Sequence, residues 1–116
     1  MSDVLRLSDL RRSKRVFFTR PELNQLLSLY TRQVMRGEWR DYAIDQHDGA
    51  VLFSMFRRTQ ELPIFTVMKT APGTNRRGDY VLLTGGQRIA TCIALVDVLA
   101  QLVKMIRYRP VRLESG

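Results

Sequence analysis

Cysteine is almost missing from this chain. Cys92 is the only one in 116 residues, so no intrachain disulfide can staple the fold. Histidine is as scarce, with His47 alone, and a zinc site of Cys–His type therefore lacks enough ligands. The longest greasy run, Cys92 to Val96, stops at Asp97, far short of the ~20 apolar residues a spanning helix needs. Residues 1 to 15 lack the apolar segment of a secretory signal. There is no Walker-type loop, dinucleotide-binding glycine fingerprint or nucleophile elbow, and Gly85-Gly86 reads as a hairpin turn. Together these gaps argue against an enzyme, a cofactor, a metal and a membrane partner, and for a soluble protein of the reducing cytoplasm.

What is present is ordinary globular material with an unusual charge. Apolar residues make up 45% and charged residues 26%, enough for one core in a chain of this length. Nineteen basic residues face eleven acidic ones, a net charge of +8. Only Lys14, Lys69 and Lys104 are lysines, so arginine carries the excess. A planar guanidinium holds phosphate bidentately and stacks on bases, which suits a polyanion partner better than a simple solubility charge does.

Local patterns divide the chain. Residues 1–14 read as a flexible basic arm, equally well as an inert tail, and residues 15–109 as one α+β domain followed by a C-terminal tail at 110–116. Arg15 to Phe18 is β-rich and predicts a short strand. Thr19-Arg20-Pro21-Glu22 is a capping box, and Leu23, Leu26, Leu27, Tyr30 and Val34 follow as one apolar stripe of a helix over 20–36 that Gly37 ends. The period then changes to 2. Strands are predicted at 39–45, 50–58, 64–69, 80–83 and 87–91, with a tight turn at His47-Asp48-Gly49 and an exposed loop at 71–78. A last helix from about Cys92 or Ile93 to Arg107 is apolar around most of its circumference, which calls either for packing against the first helix or for a second copy of the chain. The expected architecture is an antiparallel sheet of about five strands with both helices mainly on one face, in the order β-α-β-β-β-β-β-α.

The candidate binding residues are the basic ones at element ends and loop tips. They are Arg11, Arg12, Lys14 and Arg15 in the arm, Arg40 before a strand, Arg57 and Arg58 after one, Arg76 and Arg77 at the loop tip, and Arg88 on a hairpin strand. One contiguous surface is expected from them. Trp39 and Tyr42 offer rings for base stacking, or else pack in the core. Glu38, Asp41, Asp45 and Asp48 form the one carboxylate cluster, read as a solvated face. Its Asp41 and Asp45 lie about 13 Å apart along an extended strand, too far for a tight catalytic pair.

The segment RVFFTRPELNQLLSLYTRQVMRGEWRDYAID at 15–45, with FSMFRR at 53–58 and GGQ at 85–87, resembles an alphaproteobacterial family catalogued as domain of unknown function 2794. That resemblance implies a bacterial cytoplasmic protein and carries no activity, cofactor or catalytic residue. The function expected from the residues is therefore non-enzymatic nucleic-acid binding, DNA ahead of RNA, by a homodimer. The alternative is a protein–protein adaptor that uses the apolar last helix or a sheet edge.

Overall fold

The computed structural model describes residues 15–58 and 62–115, with side chains through Arg107. The order is α1 (Arg20–Met35), β1 (Asp41–His47), β2 (Ala50–Phe56), β3 (Phe65–Thr70), β4 (Tyr80–Thr84), β5 (Gln87–Cys92) and α2 (Leu95–Ser115). The five strands form one antiparallel meander in sequential order, so the α+β class and the succession of helix, five strands and helix stand as expected.

Register decides which face meets the helices. Tyr42, Met55 and Phe65 align across β1 to β3, as do Phe53, Val67, Leu82 and Ala90 across β2 to β5. Most of these side chains form a core with Leu26 and Leu29 of α1 and Leu95, Val98 and Leu102 of α2. Both helices thus cover the same face. Each fully buried side chain of this kind contributes roughly 1.5–3 kcal/mol. On the opposite face Leu52, Phe56, Met68 and Leu83 are half-buried, and the Ser54 and Thr66 hydroxyls share a hydrogen bond of 3.1 Å.

α1 begins as its sequence dictates. The Thr19 hydroxyl accepts from the Glu22 N–H and the Glu22 carboxylate accepts from the Thr19 N–H, a complete capping box. Its buried line differs from the expected stripe: Leu26, Leu29 and Gln33 are buried, whereas Val34 is 38% exposed. The helix is turned so that 26, 29 and 33 point to the core, which sets a polar amide at an apolar position. Gly37, at φ +78°, then lets the chain reverse into β1.

Two expectations need correction. Arg15 to Phe18 joins no strand ladder, and side chains supply bonds to its backbone. The Val16 carbonyl accepts from Gln46 Nε2 at 2.8 Å, and the Phe17 carbonyl accepts from Lys69 Nζ at 2.9 Å. The last helix begins later than expected and its backbone continues past Arg107 and Pro110 to Ser115. Proline removes one backbone bond and strains a helix without always ending it.

One polar cluster joins four segments at the start of α1. Glu22 accepts from Lys69 Nζ at 2.8 Å and from the Tyr80 hydroxyl, while Lys69 lies 6.0 Å from the Tyr80 ring centre. Burial acts to raise the Glu22 carboxyl, but its bonds from Lys69, Tyr80 and the Thr19 N–H outweigh burial and hold it below the ordinary carboxylate value. The Tyr80 hydroxyl is pushed far up by burial and by Glu22 and stays protonated.

Glu22→Gln is expected to cost about 2 kcal/mol in urea unfolding at neutral pH, the worth of hydrogen bonds to a charged group. A lowered folded-state value means this contribution is complete above the unfolded carboxylate value and fades as pH falls through the folded one. The gap between wild type and variant should therefore begin to narrow once pH falls below the ordinary glutamate value of about 4.3 and close as it passes the lowered folded-state value. Gly78→Ala should destabilise by at least ~2 kcal/mol. Gly78 sits at φ +144°, and a Cβ there would lie 2.1 Å from the Cys92 carbonyl oxygen.

Candidate functional site

The meander sorts the arginines to opposite ends of the sheet. β2 ends at Phe56, so Arg57 and Arg58 leave the end at which Arg40 enters β1, and the Arg40 N–H donates to the Phe56 carbonyl at 2.8 Å. These three arginines, with Gly37 and Glu38, line a depression of about 470 Å³. The next strand carries the chain away again. Arg76 and Arg77 lie exposed in the loop after β3, which at ~3.3 Å per residue over six residues is about 20 Å from the first group. Arg15 shares that far end, beside Gln46, His47 and Asp48 around a depression of about 360 Å³. Arg88 is exposed near the start of β5, at the same end as Arg57 but three strand spacings, about 14 Å, across the sheet. Arg11, Arg12 and Lys14 lie outside the described residues. The single contiguous surface expected from all these residues does not form, because an antiparallel strand returns each successive loop to the other end.

A second set of arginines, absent from the sequence-based expectation, adjoins the first. α1 starts near Lys69 and Tyr80, at the far end of the sheet, and α2 starts there too, just after Cys92. Both helices consequently run in the same direction toward the Arg40 end. Arg32 of α1 and Arg36, the residue that caps its end, line with Arg107 of α2 a depression of about 270 Å³ whose apolar walls are Leu29, Val103 and Ile106. Gln33 lies in this depression, 5% exposed, with its side-chain oxygen unpartnered. Higher up the same groove, Asn24, Gln25 and Ser28 face Leu99 around about 340 Å³ of space. Arg32 and Arg36, one helical turn apart at i and i+4, were the sequence signal for this set; the parallel course of the helices was not legible.

Among the described residues no carboxylate lines the Arg32–Arg107 depression, and Glu38 lines the one formed by Arg40, Arg57 and Arg58. Among the described residues the one ion pair is Lys69–Glu22, at the opposite end.

The aromatic residues divide in their roles. Trp39 is 3% exposed, 6.1 Å from the Phe65 ring and 6.4 Å from Tyr30, so it is core and supports the turn before Arg40. Tyr42 is 40% exposed and stacks on Phe53 at 5.1 Å, with Tyr30 edge-on at 4.9 Å. Cys92 is half-buried, and burial with the nearby Asp97 charge raises its thiol, the opposite of nucleophile activation. Among the described residues no group of three or more His, Cys, Asp or Glu side chains is placed to hold a metal ion, and no helix is long and apolar enough to cross a membrane.

A family model described as "Protein of unknown function (DUF2794)" matches residues 16–99. No curated protein and no solved structure matches the chain.

If Trp39 supports the basic end from beneath, Trp39→Ala should cost about 3–5 kcal/mol of stability. Tyr42→Ala, with its ring partly in solvent, should cost clearly less. Paired urea titrations compare the two, and equal losses would contradict the assignment of Trp39 as the buried support.

Proposed function

This chain belongs to that family, whose description assigns no function, and we propose that it is a non-enzymatic nucleic-acid-binding protein that grips phosphates at one end of its sheet. The observation that carries this reading is the gathering of Arg40, Arg57 and Arg58 around one depression and of Arg32, Arg36 and Arg107 around another, the two lying on either side of the Arg36–Gly37 bond. Folding gathers them, and a solubility charge has no need of such gathering. Each guanidinium that contacts a phosphate releases condensed counterions, so affinity depends steeply on salt. DNA is the first ligand to test and RNA the competing arm, and the cytoplasm is the compartment this reading implies.

A second reading rests on a separate observation. Among the described residues neither helix lies on the sheet face that carries Leu52, Phe56, Met68 and Leu83. Val81, Ser54 and Thr66 of this face are already buried, and a second copy of the chain, or another protein, would pack on its half-buried side chains, giving the homodimer or the adaptor.

Fluorescence anisotropy with duplex DNA, single-stranded DNA and RNA tests the first reading. Binding should weaken linearly in log[salt], and Arg57→Ala with Arg58→Ala should lower the slope by about two and the affinity by roughly tenfold. The Arg76→Ala, Arg77→Ala pair at the far end should change both much less. Absence of binding at low salt ends the proposal. Sedimentation equilibrium tests the second, and a monomer at every concentration removes the homodimer.

A further inference from the structure

Gln33 is the side chain that phosphate binding leaves unexplained. It takes a core position on α1, with Leu26 and Leu29 before it on the buried line, yet its side-chain oxygen has no hydrogen-bond partner. Leaving a buried acceptor unpaired costs roughly 1–3 kcal/mol, and an apolar side chain at this position would avoid that cost. Its backbone carbonyl is already occupied by the Glu38 N–H at 2.9 Å and the Trp39 N–H at 3.4 Å, so the turn at the end of α1 does not need the side chain. Arg32 and Arg36 have a plain structural role as cations near the negative end of α1, worth about 0.3–1 kcal/mol each. That role gives Gln33 nothing to do.

The groove around Gln33 combines three chemistries. Its walls are apolar, its rim carries three guanidinium groups, and it is lined by Gln33, whose amide oxygen lies buried and unpartnered beneath the surface. A ligand that answers all three has a flat, largely apolar body, an N–H donor on its edge and an anionic group a few ångströms away. A nucleotide has this composition, with the base against Leu29, Val103 and Ile106, an amino or imino N–H toward Gln33, and the phosphate among Arg32, Arg36 and Arg107. The terminal torsion of a glutamine is broad and roughly two-fold, so a small turn presents its oxygen to the groove. Glutamine amides pair with base edges in just this donor–acceptor sense.

We propose that the groove between α1 and α2 receives one unstacked nucleotide, with Gln33 as the base-contacting residue. The inference rests on the nucleic-acid reading above and adds to it that the ligand is single-stranded, because a base paired and stacked in a duplex cannot enter a groove between helices. A free mononucleotide shares the chemistry, and the test separates the two sources.

The full chain is titrated with AMP, with ribose 5-phosphate, with a single-stranded DNA oligonucleotide and with the same oligonucleotide carrying abasic sites. The Gln33 side-chain amide resonances are followed by nitrogen-15 NMR. They should shift with AMP and with the intact strand and stay in place with ribose 5-phosphate. The intact strand should bind roughly tenfold more tightly than the abasic one. Binding of AMP as tight as that of the strand would name a free nucleotide as the source, and far weaker binding of AMP would name the strand. Gln33→Met, close in shape and without a polar atom, should unfold at the same temperature as wild type or higher while losing that tenfold preference. A variant that is less stable and keeps the preference makes Gln33 a structural residue and overturns the proposal. Equal binding of intact and abasic strands also overturns it while leaving phosphate binding intact. If neither strand binds, the broader reading fails, and an AMP-dependent shift at Gln33 alone then decides for or against the groove.

Discussion

The Glu22 carboxylate fixes the direction in which α1 crosses the sheet. It closes the helix cap with Thr19 and at the same time receives Lys69 from β3 and the Tyr80 hydroxyl from β4. The helix start is thereby tied to the end of the sheet at which β3 finishes and β4 begins. Because β5 also finishes at that end, α2 starts there too, and the two helices run side by side in the same sense. Their later turns, which hold Arg32, Arg36 and Arg107, meet beside Arg40, Arg57 and Arg58 as a result. A charge pair at one end of the molecule thus decides where cations gather at the other. The pair is largely buried, with side-chain exposures of 18% for Lys69 and 14% for Glu22, so salt screens it less than it screens the open arginines.

Much of the fold is legible in the residues because local signals agree with one another. The capping box, the change of period after Gly37, the Asp48-Gly49 and Gly85-Gly86 turns and the glycine-rich loop at 71–78 each mark an element, and the structure has a helix or strand between each. The failures are tertiary in origin. Helical periodicity identified a stripe but not its rotation, so Leu29 and Gln33 were missed and Val34 was overvalued. Arg15 to Phe18 has strand propensity, yet the bonds that hold it come from Gln46 and Lys69, far away in sequence. The last helix is expected to end at Arg107, and its backbone continues through the residues read as a tail.

The candidate site was half visible. Arg40, Arg57 and Arg58 come together because two adjacent antiparallel strands exchange ends there, which a hairpin reading already contains. Arg76 and Arg77 look equally eligible in sequence and fall at the opposite end, because the parity of strands in a meander, rather than local composition, assigns each loop its side. Arg32, Arg36 and Arg107 needed the helix directions. Gln33 needed the three-dimensional structure outright, since nothing in a sequence tells a solvated glutamine from one whose amide oxygen is shut away from partners.

The groove joins a helix near the front of the domain to one formed after all five strands. A chain emerging from the ribosome can complete the first helix and the hairpins before the residues around 107 exist, but it has no groove until they do. On the reading proposed above, recognition at this place is a late event in the life of each molecule. A nascent chain would stay inert toward a ligand of the groove, and occupancy would report that the final helix has docked.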